Sequence, residues 1–334
     1  MKLSEQINSY AEKYTPYMDG LVNHLPMAQL ALYKMTRSLE RVKEYSDYFV
    51  DHFNIGRVKI EYPKVETIEA CIGKRDLYEG CLDKIKEEIA LRGADDVIRL
   101  VLNNYDLGMS SGLFHVLIRL AYAVEGYKDD EALIDEVARA LAYYITAYRE
   151  ADIFNQTVKG TNFAAAIEQL KIQQTIKDTI MSQSTLGKRM KALYDNPQYK
   201  DMGFVIEGDQ QYKTSTFLEY LLSIYIQSPD ILKLHFITSL HALINLKDYF
   251  GDFNRALDIH QTCCVTHLLA SNEKERLGNN GNTADISWEE LLKKGSEAKD
   301  VHTIKLTYTC QQLYKLYPLE KLREAAIIKI GSRI

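Results

Sequence analysis

His302 and Lys305 stand one helical turn apart in the stretch DVHTIKLTYT, among apolar and hydroxyl-bearing neighbours. A lysine is a poor metal ligand as an ammonium and is seldom buried. The pair therefore marks either a solvated helix edge or a site that chemically changes the lysine. In the plainer reading the stem of Lys305 lies along the core while its amine reaches water. A second group of polar residues sits in GLFHVLIRLAYAVEG (112 to 126), which is apolar nearly all the way round, the pattern of a helix buried mid-fold. It contains His115, with Arg119 and Tyr122 on the same face at i+4 and i+7. A buried arginine needs an anion or several acceptors beside it, which points to a polar pocket. From the pattern alone the simpler reading of His115 is a core histidine bonded to a backbone carbonyl.

The chain has eight histidines, so placement matters more than number. His235 lies in the apolar LKLHFITSL, and His24 directly precedes a helix start at Leu25-Pro26. His260 and His267, seven apart with Cys263 and Cys264 between them, are either a rival metal pair or packing residues. His241 follows His235 by six and so occupies a different face, while His52 reads as a surface residue. The usual helical metal motifs are missing: there is no HExxH, no histidine three after a glutamate, and no HxD or HxE.

The elements that must position these residues are helices. Glycine (17) and proline (6) are too sparse for the many turns of a sandwich or doubly wound sheet of 334 residues. Neither GxGxxG nor GxxxxGK[ST] is present, so no flavin, NAD(P) or phosphate-loop fold is expected. Helical patterns are read over 26–49, over 77–108 with a break at Gly93, over 112–126, over 131–151 and through the apolar-rich 215–271. The pattern weakens over 152–216, and NEKERLGNNGNTADIS (272 to 287) reads as a loop, ending at Ser287 and Glu290 in capping-box spacing. No repeat or long linker divides the chain, which predicts one all-α domain over 1–334 with a buried histidine-lined pocket. Charge is mixed, 41 Lys+Arg against 46 Asp+Glu, which argues against a nucleic-acid binder. No apolar run reaches membrane-span or signal-peptide form, and five cysteines without CxxC fit reduced thiols. A cytoplasmic protein with no membrane partner is the expectation.

Four segments in order, NHLPMAQLALYKM, GLFHVLIRLAYAVEG, LHFITSLHAL and DVHTIKLTYT, resemble successive landmarks of the questin oxidase-like family. The approach VIRLVLNNYDLGMSSGLFH is similar to the family's as well, and the resemblance covers residues 17 to 318. It implies an α-helical, flavin-free enzyme. Members include fungal enzymes of anthraquinone metabolism that cleave a quinone ring by Baeyer–Villiger-type oxidation. Some relatives are iron-dependent oxygenases whose metal is held by four histidines and a carboxylated lysine. Carried over by motif, the ligands are His24, His115, His235 (with His241 its neighbour and competitor), His302 and Lys305. Some fungal relatives have a histidine where this chain has Arg119, a departure that bears on substrate more than on metal.

The resemblance gives the spacing of His302 and Lys305 a chemical reading. A lysine buried beside a cation is shifted toward the neutral amine, which adds carbon dioxide to form a carbamate that a metal stabilises. Iron is the implied metal, with zinc or nickel able to replace it on purification, since imidazole suits all three. The implied reaction is dioxygen activation beside a small aromatic or polyketide-like substrate, with Arg119 and Tyr122 as catalytic candidates and tyrosines as walls. Two other classes compete: a metal hydrolase using metal-bound water, and a non-catalytic helical binding protein.

Overall fold

The computed structural model describes residues 2–18, 22–151, 159–160 (backbone alone), 163–202, 205–271 and 286–331. Among them are seventeen α-helices, with 3-10 turns between some of them. Strand structure in the described residues is limited to two short pairs. Tyr14–Met18 runs antiparallel to Ile55–Arg57, and Lys159–Gly160 runs parallel to Val205–Ile206. The protein is all-α, as its glycine- and proline-poor composition requires. No helix among the described residues is long and apolar enough to cross a membrane. All five cysteines are free and buried.

Local chemistry sets the helix ends. Gly93, at φ +87°, separates Tyr78–Arg92 from Ala94–Asn104, as its position between two amphipathic runs predicts. The single helix read over 26–49 is corrected to two. Leu25–Thr36 ends at Arg37, left-handed with φ 55°, and Leu39–His52 restarts behind Ser38. The Ser38 hydroxyl accepts from Arg41 N at 3.1 Å, and Ser38 N donates to Thr36 Oγ1 at 3.1 Å. Side-chain capping makes this break without glycine or proline. The run 131–151 becomes Ile134–Thr146, and 215–271 is divided among three helices, Gln210–Gln227, Ile231–Asn245 and Phe253–Ser271, with breaks at 228–230 and 246–252. In the weak region the short helix Pro197–Asp201 is capped by Asn196. Of the loop read over 272–287, residues 272–285 lie outside the described residues. Ser287 caps Trp288–Glu297, accepting from Glu290 N at 3.2 Å.

Buried apolar residues from Ile7 to Ala326 form one contiguous core. Within it four helices close a ring: Leu25–Thr36 packs on His115–Asp129, which packs on Ile231–Asn245, which packs on Val301–Leu316, which returns to the first. Each of these helices carries or adjoins one histidine of the resemblance set. Gly126 lets the first two approach closely, since a Cβ there would lie 2.8 Å from Leu30 Cδ2. The His115–Asp129 helix is buried from His115 to Val124, as an all-round apolar pattern requires.

Candidate metal centre

The ring of helices brings His24, His115, His235 and His302 together in its own order. Ring centroids are 4.5 Å apart for His24–His115, 4.5 Å for His115–His235, 5.2 Å for His235–His302 and 5.0 Å for His302–His24. Three of the four sit at a helix start: His24 is an N-cap, His115 a first residue and His302 a second. His24 is pinned from its own loop, where the Asn23 side chain donates to Thr15 O and accepts from Leu25 N, both at 3.0 Å. His115 follows an unusual turn. Gly112, Leu113 and Phe114 are left-handed in succession, with φ of 58°, 56° and 64°. This moves the helix start from the expected 112 to His115, and the two non-glycine residues store about 1–3 kcal/mol each. A Cβ on Gly112 would also approach Tyr143 Oη to 3.0 Å.

Hydrogen bonds then fix which way the rings point. Nδ1 meets Val22 O at 2.5 Å for His24, Gly112 O at 2.5 Å for His115 and Ile231 O at 2.6 Å for His235. A carbonyl only accepts, so each of these Nδ1 atoms carries the proton and Nε2 keeps its lone pair. His302 Nδ1 faces Asp300 Oδ1 at 3.3 Å. His115 Nε2 is 2.7 Å from His24 Nε2 and 3.0 Å from His235 Nε2. Lone pairs that close repel unless a cation lies between them. A proton is disfavoured, because burial, then the Lys305 charge and the other imidazoles, holds His24 well below the usual histidine range. Burial does the same for His115 and His235. A metal ion fits. Nitrogens about 2.0–2.1 Å from one ion and at right angles are about 2.9 Å apart, close to both separations. His24, His235 and His302 offer ligand atoms all within 4.8 Å of one another and could hold a metal ion.

Lys305 lies near enough for its charge to act on all four histidines. It is fully buried, and its Nζ has no hydrogen-bond partner among the described residues. Burial pushes its amine down to about 7, with Asp300 opposing, so much of it is neutral near neutral pH. An unpaired ammonium here would repel a metal, whereas an anion would offset the charge of a dication among neutral imidazoles. The donor set and the orphaned amine thus fit a metal with a modified lysine.

The remaining candidates have other partners. Arg119 and Tyr122 lie about 6 and about 10 Å further along the helix axis than His115. Arg119 Nη2 and Nε bind Glu136 Oε1 at 2.8 and 3.0 Å, with both residues buried. This is the anion that a buried arginine requires. Arg119 Nη1 has no partner among the described residues. Tyr122 packs its ring 6.0 Å from Tyr308, and burial raises its phenol well above the usual range. His241 Nε2 accepts from Asn245 Nδ2 at 3.3 Å, away from the ring that His235 joins. His52 is exposed. A cavity of about 610 Å³ is lined by Leu170, Ile176, Ile180, Leu232, Lys233 and Leu269 among others, and by no histidine. Leu232 and Lys233 reach that cavity from the first turn of the Ile231–Asn245 helix, which also carries His235.

The rival pair separates into packing roles. His260 Nε2 meets Ser239 Oγ at 2.8 Å, while neither ring nitrogen of buried His267 has a partner among the described residues. His267 packs against Phe114 and Phe236, and burial pushes it down to about 4. His267→Leu should therefore raise the unfolding free energy by about 1–3 kcal/mol at pH 7.5 and leave metal uptake unchanged. The unfolded imidazole titrates near 6.5. As pH falls from there toward 4, the unfolded wild type binds the extra proton and loses up to about 1.4 kcal/mol per unit, so the variant's advantage grows. Urea unfolding at pH 7.5 and 5 checks this. A destabilised variant, or a difference independent of pH, would contradict it.

The chain matches no family model and no curated protein. Two residues of the site were not singled out from the sequence. Asp300 was visible only as the first residue of DVHTIK, and its contact with the His302 ring follows from its place as N-cap of Val301–Leu316. Glu136, the partner of Arg119, lies on another helix, and no local spacing announces it.

Proposed function

We propose that this protein is a questin oxidase-like oxygenase. In this reading a single iron is held by His24, His115, His235, His302 and a carbamate on Lys305. The observation that carries the reading is the ring of buried Nε2 lone pairs, 2.7 and 3.0 Å apart, beside an unpartnered lysine amine shifted toward neutrality. The neutral Lys305 amine attacks carbon dioxide, forms an N–C bond and releases a proton, leaving an anionic oxygen at the end of a long arm. Burial, the foremost cause, holds the four imidazoles neutral, and their outward-facing Nδ1 atoms leave Nε2 for the metal. Bound iron would supply activation of dioxygen for insertion beside a carbonyl of an aromatic or quinone-type substrate. Arg119, held by Glu136, keeps Nη1 for a phenolate or enolate oxygen, and Tyr122 forms part of the aromatic wall.

The test is oxygen uptake with a panel of hydroquinones after anaerobic loading with iron(II), beside zinc-loaded protein. Uptake that depends on both iron and substrate supports the oxygenase. Retained zinc with hydrolytic activity and no oxygen uptake would replace it with a metal hydrolase. Loading should also stabilise the fold by about 2.7 kcal/mol at a hundred times Kd, read as a rise in Tm that a chelator reverses. An unchanged Tm would contradict a metal bound by the folded state.

A further inference from the structure

We propose that Lys329, on the C-terminal helix Glu320–Gly331, is a positioning residue for the metal centre, acting through Asp300 on the imidazole of His302. This rests on the metal reading above. His302 differs from the other three histidines in leaning on a carboxylate rather than a carbonyl. Asp300 shares its two oxygens among several donors. Oδ1 accepts from His302 N at 3.2 Å and faces the His302 ring at 3.3 Å. Oδ2 accepts from Thr303 N at 3.0 Å and Thr303 Oγ1 at 2.8 Å, and it pairs with Lys329 Nζ at 3.0 Å.

That division of labour explains a lysine only 4% exposed at the far end of the chain. By holding Oδ2, the ammonium fixes the plane of the carboxylate and leaves Oδ1 toward His302. The segment that carries Asp300 is anchored from the other side too. Arg41 Nε donates to Ser296 O at 2.8 Å and Arg41 Nη2 to Ala298 O at 3.2 Å. The Glu320–Gly331 helix packs along Val301–Leu316, so the relay joins two elements already in contact. A carboxylate behind a metal-bound histidine sets ring tautomer and orientation, and its loss commonly weakens metal binding about 10–100-fold. In this protein the carboxylate has its own orienting residue.

The experiment is a double-mutant cycle with Lys329→Met, Asp300→Asn and the pair. It reads Co²⁺ affinity by competition with a chromophoric chelator, and the His302 tautomer by ¹⁵N NMR of metal-free, histidine-labelled protein. Lys329→Met should weaken Co²⁺ binding about 10-fold and Asp300→Asn by more, with the double variant no weaker than Asp300→Asn alone. The Nδ1–H tautomer of His302 should give way to a mixture in Lys329→Met. Wild-type affinity in Lys329→Met, or losses that add with an unchanged tautomer, would overturn the relay and leave Lys329 as an ordinary helix staple. If wild type takes up no Co²⁺ but the tautomer responds as stated, the relay stands and the metal reading fails. Lys329→Gln, which keeps a donor, serves the same cycle if Lys329→Met does not fold.

Discussion

Lys305→Met should make the metal-free protein more stable and the metal centre inactive. The two effects have opposite signs because, in the proposed site, the lysine serves the metal at the expense of the fold. Its amine is fully buried and unpartnered among the described residues, and its pKa is pushed down to about 7. In the unfolded chain the same group titrates near 10.4, so the unfolded state binds the extra proton over the window from there down to about 7. Stability conferred at high pH is lost as pH falls through that window. By pH 7 the loss is on the order of 4 kcal/mol. Methionine keeps the stem and removes the amine, so the metal-free variant should recover much of this at pH 7 and little at pH 10.5. Its affinity for iron(II) should fall at least about 100-fold, since the proposed site loses its anionic ligand. Guanidinium unfolding at both pH values and metal titration check the pair of effects. A variant less stable than wild type at pH 7 would mean that Lys305 is satisfied in the fold. Unchanged metal affinity would remove it from the ligand set.

Glu136→Leu should destabilise the protein by about 3–5 kcal/mol, the cost of leaving a buried cation without its partner. Arg119 and Glu136 are 2% and 1% exposed, so water cannot replace the lost carboxylate. Arg139, whose Nη1 donates to Asn8 Oδ1 at 2.7 Å and lies 3.8 Å from Glu136 Oε2, adds a second positive charge to the same place. Arg119→Met in the Glu136→Leu background should restore a large part of the loss, because replacing both members of a buried pair with apolar groups is often close to neutral. Denaturant unfolding of the two variants is the check. A single-variant loss under about 1 kcal/mol would contradict a buried pair out of reach of water. Failure of the second substitution to restore stability would show that Glu136 acts through something other than Arg119.

The helices were legible in the sequence because periodicity and composition act locally. Gly93 announced its break, and the all-round apolar pattern around His115 announced burial. The break at Arg37 was not legible, since Thr36 and Ser38 make it with hydroxyl caps that also occur inside helices. The start at His115 was hidden for a related reason: Leu113 and Phe114 adopt left-handed backbone that their types disfavour, and only tertiary packing imposes it. For the site, residue spacing singled out His302 with Lys305 and His115 with Arg119, each within one helix. That His24, His115, His235 and His302 meet depends on how four helices close a ring, and no spacing along the chain encodes that. Their joint selection came from the resemblance of four ordered segments. Asp300, Glu136 and Lys329 act across helices or through caps, which is why local patterns passed over them.

The most direct test of the metal centre is metal content by mass spectrometry on tag-free protein loaded anaerobically with iron(II), wild type beside His115→Ala and Lys305→Met. The account predicts about one ion per chain in wild type and its loss in both variants. Wild-type protein that holds no metal after loading, or variants that hold it as well as wild type does, would contradict it.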